Sequence, residues 1–384
     1  MRIALICKKF SSKMGGLENY TVRLSDALIG LGHEVHVFAN TWDYPSMTTL
    51  HRISMIKYSS PLKNLSFAYF ASKLVDINRF HVVHSMERIF RQDIFRASDG
   101  INPIQLLVKY RNPLIRRLKA IGPRRLALMY LEKQIFLGGA CRYVITNSHL
   151  VKKQIVTYYG LDPEKIFVIY NPVDLVRFNP ANRNYHNARL RAELGIELND
   201  TILLFVANDF RLKRLDMVID ALNQSQDTSL KLLVVGAGKK GPYLKRAYQH
   251  GLGRQVYFLG RRADIERFYG AADIFILPTL YDPFANVCLE AMASGVPVIT
   301  SNNNGASELI KDGVNGYILN QLAASELTKK ISLLKDKTLR SKMALEARKA
   351  AESLTFNAHM TQLLDLYERV KREKIQDGAF VSAH

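Results

Sequence analysis

Two carboxylates, Asp282 and Glu290, stand eight residues apart in YDPFANVCLEAMASGVPVIT at 281–300. A carboxylate accepts paired hydrogen bonds from a vicinal diol, a group that sugars and ribose both carry. Asp282 followed by Pro283 also reads as a helix N-cap, and Gly295 as an ordinary helix stop. Glu290 is harder to assign to capping, because Val287–Ala293 is otherwise apolar and an ionised group there needs a partner. Arg211 and Lys213, in ANDFRLKRLD at 207–216, are cations able to neutralise a diphosphate; plain surface charge is the other reading. Gly15-Gly16 lets backbone amides approach a phosphate or sugar closely, although the full GxGxxG pattern is absent. Asp99, in RASDGIN at 96–102, is either a turn residue or a base serving an acceptor hydroxyl. The ten histidines are scattered, and neither a Ser-His-Asp order nor HExxH occurs, so no metal and no other cofactor is expected.

These residues fall at the ends of apolar runs. Asp273–Pro278 and Val296–Thr300 flank the carboxylates as strand, helix and strand, which puts both acids at the C-terminal edge of a parallel sheet. Ile202–Ala207 precedes the cations, a helix is expected over Asp216–Gln224, and strands over Leu230–Val235 and Val256–Leu259. The first half repeats the grammar. Ile3–Cys7 precedes Gly15-Gly16, a helix follows over Leu17–Leu31, then strands at Val35–Ala39, Val82–His84, Tyr143–Thr146 and Ile166–Tyr170. Strands and helices alternating twice over indicate two doubly wound α/β domains facing across a cleft. The expected division is 1–172 for the acceptor, 173–357 for the donor, and a terminal helix from about 358 to 384 returning to the first domain. The polar stretch from Asn171 to Asp200 reads as a linker.

With 384 residues, 48% apolar and 23% charged, the chain has the composition of a globular protein with two cores. No apolar run approaches the length of a spanning helix, and Met1–Cys7 reads as a first strand rather than a secretory signal. Cys7, Cys141 and Cys288 show neither disulfide nor zinc spacing, so they are assigned to core packing in a reducing cytoplasm.

The formal charge of +20 implies an anionic partner. Between Leu106 and Tyr130 stand Lys109, Arg111, Arg116, Arg117, Lys119, Arg124 and Arg125, interleaved with leucines and isoleucines and with no acid among them. That mixture suits an amphipathic segment lying on an anionic membrane, cut into short helices by Pro113 and Pro123; a solvated basic face is the alternative. Nucleic acid is the other class of anion, but no recognised module or interleaved aromatic platform is present. A non-catalytic membrane adaptor is a third reading.

Four segments resemble the retaining glycosyltransferases of family 4, with their two-Rossmann GT-B fold: 15–39, 144–155, 210–222 and 281–319. Within that family the likeness is greatest to the lipopolysaccharide core glucosyltransferases that add glucose to inner-core heptose. The resemblance implies that Glu290 holds the donor ribose, and that Asp282 with the amides of Phe284, Ala285, Asn286 and Val287 holds the transferred sugar and phosphate. Lys213, with Arg211 nearby, matches the cations that stabilise the departing diphosphate. The implied donor is UDP-glucose and the implied acceptor a glycolipid or lipopolysaccharide core at the inner face of the cytoplasmic membrane. Another nucleotide-sugar with another polysaccharide or glycolipid acceptor is the alternative. The implied reaction is a front-side displacement in which the donor phosphate takes the acceptor proton. Two positions depart from the family pattern. Asp282 stands where the family has glutamate, and Arg214 where it usually has glycine, so that Arg214 either crowds its loop or adds a phosphate contact.

Overall fold

Runs such as VVHS at 82–85, TILLFV at 201–206 and IFIL at 274–277 are buried almost throughout, the pattern of strands covered on both faces. The computed structural model describes residues 1–12, 16–44, 47–110 and 112–380. It divides into two units, 1–169 with the chain from Met360 onward, and 170–359.

The first unit opens with β1 (Arg2–Phe10), α1 (Gly16–Gly30), β2 (Glu34–Trp42), β3 (Thr49–Arg52) and α2 (Ser60–Leu74). It continues with β4 (Val82–Ser85), β5 (Gln92–Arg96), α3 (Asn102–Lys109), α4 (Pro113–Ala120) and α5 (Pro123–Leu137), then β6 (Cys141–Thr146), α6 (His149–Tyr159) and β7 (Ile166–Val168). Its seven strands are parallel in the order β3-β2-β1-β4-β5-β6-β7.

In the second unit α7 (Asn182–Leu194) precedes β8 (Thr201–Val206), α8 (Leu215–Ser225), β9 (Leu230–Val235) and α9 (Gly241–Gln249). Then come β10 (Val256–Gly260), α10 (Ile265–Ala271), β11 (Ile274–Leu277), α11 (Asn286–Ala293), β12 (Val298–Ser301), β13 (Gly316–Leu319), α12 (Ala324–Leu333) and α13 (Lys337–Glu352). Six parallel strands run in the order β10-β9-β8-β11-β12-β13.

The expectation of a linker over 171–200 is corrected, since α7 occupies 13 of its residues. Its helical signal is hidden because the face it buries holds an arginine beside Leu190. The Arg191 guanidinium donates to Asp273 Oδ2 at 2.9 Å and to the carbonyls of Glu197 and Asp200 at 2.7 and 3.0 Å.

The last helix, α14 (Phe356–Gln376), packs on the first unit from Met360 onward. Lys374 Nζ, buried, donates to the carbonyls of Ile77 and Phe80 and to Asp93 Oδ2 at 2.7, 2.8 and 3.0 Å. Burial pushes the Lys374 ammonium down and the Asp93 carboxyl up, each against the attraction of the other. Among the described residues no helix is long and apolar enough to cross a membrane.

Candidate active site

In the second unit the strand order reverses between β8 and β11, and open parallel sheets bind ligands outside the strand ends at such a point. The loop after β8 carries the cations. Asp209 shapes it: its Oδ1 accepts from Leu212 N at 2.9 Å and its carbonyl from Lys213 N at 3.1 Å. Arg214 then takes a left-handed conformation, φ +56°, which is where glycine is at ease and other residues are strained. Its guanidinium lies on Asp216 at 3.1 and 3.2 Å, so the expectation of a crowding or phosphate-binding side chain gives way to a local pair. Arg211 is exposed. Lys213 Nζ turns inward, donating to Thr279 Oγ1 at 3.3 Å and pairing with Asp282, a carboxylate from the loop after β11.

Asp282 is held from both sides. Its amide donates to Asn303 O at 3.0 Å, its carbonyl accepts from Gly305 N at 2.9 Å, and its Oδ1 accepts from Phe284 N at 3.0 Å. The helix-cap reading is therefore corrected: α11 begins four residues later and Asp282 closes a turn ahead of it. The fully buried Asn304 organises the rest. Its Oδ1 accepts from Ala285 N and Ala306 N, each at 3.1 Å, and its Nδ2 reaches Thr300 Oγ1 at 3.0 Å and Cys288 Sγ at 3.3 Å.

This alters the assignment of backbone donors. The amides of Phe284 and Ala285 already serve protein acceptors, whereas Asn286 and Val287 are the first two residues of α11, where a helix has no acceptor of its own for its amides. Glu290, half-buried, accepts from Tyr269 Oη at 2.9 Å. Burial raises its pKa, an effect offset in part by that hydrogen bond and by Arg177. The Cys288 thiol is pushed up to about 12, first by burial and then by Asp282, and is inert core. Tyr269, Thr279 and Asn304 were missed in the sequence; only the run Asn302–Asn304 after an apolar strand could have pointed to one of them.

In the first unit, Gly15 lies outside the described residues. Gly16 starts α1, and a Cβ built there would meet nothing within 4 Å. Asp99 is exposed in the turn after β5, with its carbonyl accepting from Gln105 Nε2 at 2.8 Å. Beneath that turn the buried Glu132 accepts from Arg88 Nε, Asn102 N and Tyr159 Oη at 3.0, 3.1 and 2.8 Å, and Arg88 reaches Gly100 O at 3.1 Å. Asp99 thus projects from a braced turn. Among the described residues no cluster of three or more His, Cys, Asp or Glu side chains is placed to hold a metal.

Pro113 and Pro123 each open a helix, and Asn112 caps α4 by accepting from Leu114 N at 2.9 Å. No residue of α4 is buried; Leu114 and Leu118 are 69% and 68% exposed, beside exposed Arg117 and Lys119. Lys109 and Arg124 are exposed, Arg116 is half-buried, and Arg111 lies outside the described residues. Arg125 is a correction to the membrane set. Its guanidinium donates to Asn102 Oδ1 at 2.7 Å, and burial and Arg124 lower its pKa, so it braces α5 on α3.

Residues 14–177 match the model of Glycosyltransferase Family 4, and residues 187–350 that of Glycosyl transferases group 1. A D-inositol 3-phosphate glycosyltransferase of Jonesia denitrificans is 23% identical over 96% of both chains. An uncharacterized glycosyltransferase of Methanocaldococcus jannaschii is 25% identical over 82% of this chain and 84% of its own. Among solved structures, WaaG, a glycosyltransferase involved in lipopolysaccharide biosynthesis, superposes with a TM-score of 0.77 at 22% identity, covering 93% of this chain and 98% of that one. Anabaena HepE in complex with UDP-glucose does so at 0.72 and 19% identity, covering 96% and 100%. Two Rossmann-like units, a charge pair at the second unit's reversal point and two family models spanning most of the sequence make one finding: the chain belongs to the GT-B glycosyltransferases, a family 4 domain followed by a group 1 domain.

Proposed function

We propose that the chain transfers glucose from UDP-glucose, with retention at the anomeric carbon, to a heptose of the lipopolysaccharide inner core. The observation that carries this reading is the Lys213–Asp282 pair beside the first turn of α11. A cation and a helix N-terminus converging on one spot suit a departing diphosphate, and no protein nucleophile is required. In the step, the bond from the anomeric carbon to the diphosphate oxygen breaks and a bond to the acceptor hydroxyl oxygen forms. The acceptor proton passes to the departing phosphate. Lys213 and Arg211 balance the charge that develops, Asp282 with the Asn286 and Val287 amides orients sugar and phosphate, and Glu290 accepts from the ribose hydroxyls. Asp99, in the turn after β5, is assigned to the acceptor hydroxyl, and Gly16, at the start of α1, to the donor. UDP-glucose draws support from the HepE complex, and lipopolysaccharide from WaaG.

A panel of radiolabelled UDP- and GDP-sugars tests the donor, with turnover expected for UDP-glucose. Neither turnover nor binding with any of them would remove the reading. Relatives named for D-inositol 3-phosphate favour that molecule as a second acceptor reading, so it belongs in the acceptor panel beside heptose-bearing core. The exposed leucines and cations of α3–α5 are assigned to an anionic membrane face. Replacing Arg117, Lys119 and Arg124 with Gln should release the protein from anionic liposomes, at about 1 kcal/mol per charge. Unchanged co-sedimentation would end that assignment.

A further inference from the structure

At the opposite edge of the second sheet, where β8, β11 and β12 begin, lies a cavity of about 580 Å³. That is the size of a small-molecule site, and none of the proposed donor residues lines it. Its titratable side chains, tyrosine apart, are Arg183, Arg191, Lys337, Arg340 and Arg348 against two carboxylates, Asp200 and Asp273. Asp200 is further matched by Lys231 at 3.6 Å, and Arg348 by Glu352 at 3.0 Å.

Three guanidinium groups share the single carboxylate of Asp273. Arg191 takes Oδ2 at 2.9 Å, while Arg183 and Arg340 both lie on Oδ1, at 2.8 and 3.5 Å. The geometry thus holds two arginines beside one oxygen without a second negative charge between them. Arg340 registers the crowding: burial and then the like charges of Arg183 and Arg191 lower its pKa against the pull of Asp273 and, more weakly, of Asp336. A second, independent feature belongs to the wall of the same cavity. Ser294, one of its lining residues, is 5% exposed, and its Oγ meets no hydrogen-bonding partner. A buried hydroxyl left in that state costs free energy that a polar ligand would recover. The rim carries exposed Leu198 and Leu345, and Lys337 stands exposed at the start of α13.

We propose that this cavity binds a small phosphorylated polyol or sugar, with the phosphate on Arg183, Arg340 and Lys337 and a hydroxyl of its body on Ser294. A phosphate adds negative charge to an arginine-rich wall and presents several acceptor oxygens to planar guanidinium groups. The site is separate from the donor edge, and the proposal does not depend on the identity of the donor.

Calorimetric titration with glucose 6-phosphate, inorganic phosphate and glucose tests it on the whole chain. Glucose 6-phosphate should saturate one site and bind more tightly than phosphate, with glucose silent at the same concentration. Arg183→Gln and Lys337→Gln should each weaken glucose 6-phosphate by about tenfold, the worth of one charge-assisted contact. Both are at the surface, and an unchanged melting temperature without ligand shows that the fold is intact. Ser294→Ala should remove the preference for glucose 6-phosphate over phosphate. Lys213→Ala, on the other edge, should bind as the wild type does. Absence of saturable binding, or weakening by Lys213→Ala in place of Arg183→Gln, would overturn the proposal.

Discussion

Each unit reverses its strand order beside its first central strand, between β1 and β4 in one and between β8 and β11 in the other, and each reversal point carries a lysine paired with a carboxylate. In the first unit, Lys8 Nζ meets Glu87 Oε2 at 2.5 Å and Asn64 Oδ1 at 3.0 Å. In the second, Lys213 meets Asp282 and Thr279. The two loops differ in the element that comes next. β5 begins soon after Glu87, with no helix between, whereas α11 begins four residues after Asp282. A helix N-terminus adds unpaired amides and a partial positive charge to what the lysine offers. Equal topology therefore gives both sheets a charge pair, and only in the second does a helix follow the loop that carries the carboxylate.

The sharpest way to break that comparison is to remove each lysine in turn. Lys213→Ala takes away a cation aimed at developing charge, which by the scale of single electrostatic stabilisers costs about 10²–10³ in transfer rate, or roughly 2.7–4 kcal/mol. Lys8→Met should leave the donor KM within about twofold, since no helix follows the loop that carries its partner Glu87. Steady-state kinetics with varied donor checks both. Equal losses in the two variants would erase the distinction between the units.

Next in size is Asn304→Ala. It orphans the amides of Ala285 and Ala306, and a buried unsatisfied group costs about 1–3 kcal/mol. The melting temperature should fall by about 2–4 °C for each kcal/mol in a unit of this size. Donor KM should rise with it, because Asp282 loses the loop that fixes it. A stable protein with an unaltered donor KM would show that Lys213 alone positions the carboxylate.

Glu290→Gln separates stability from binding. The folded pKa of Glu290 lies above its unfolded value, so its contribution to stability is complete below the unfolded pKa and is lost as pH rises through the folded one. Relative to wild type, the glutamine variant should gain stability as pH climbs from acid to neutral, measured by thermal melts. It should also bind donor about tenfold more weakly at neutral pH, where the carboxylate accepts from a diol. No pH-dependent difference in stability would mean that Tyr269 fully compensates the burial.

Much of this site was legible because its chemistry follows apolar strands. Lys213 and Asp282 stand just beyond Val206 and Leu277, and Glu290 betrays itself as a charge among apolar neighbours. The residues that escaped depend on contacts between distant parts of the chain. Asn304 sits in a run of three asparagines that reads as loop, yet its carbonyl is the acceptor that takes Ala285 N, nineteen residues earlier. Phe284 and Ala285 read as ligand donors in the sequence, but their amides are committed to Asp282 and Asn304. Arg125 looked like a membrane cation because its partner, Asn102, is twenty-three residues away. Helix α7 escaped for the opposite reason: its buried arginine breaks the apolar stripe by which helices are recognised, and Asp273 supplies the compensation.

The smallest effect concerns the loop that carries Lys213. Arg214 holds φ +56° at the entrance to α8, and Gln226 holds φ +50° at its exit, so both ends of one helix carry a side chain in the left-handed region. Glycine relieves that strain but is freer in the unfolded chain, and Arg214→Gly also gives up the pair with Asp216, so the net gain should be only about 0.5–1 kcal/mol. Gln226→Gly should gain a similar amount for the same reason, at a C-terminal position where glycine is favoured, and serves as the control because it lies away from the lysine loop. If Arg214 matters only through its backbone, both variants melt slightly higher and transfer stays within about twofold of wild type. A fall in transfer confined to Arg214→Gly would instead make the arginine a third cation on the donor and would place the advantage of the second reversal point in charge rather than in its helix.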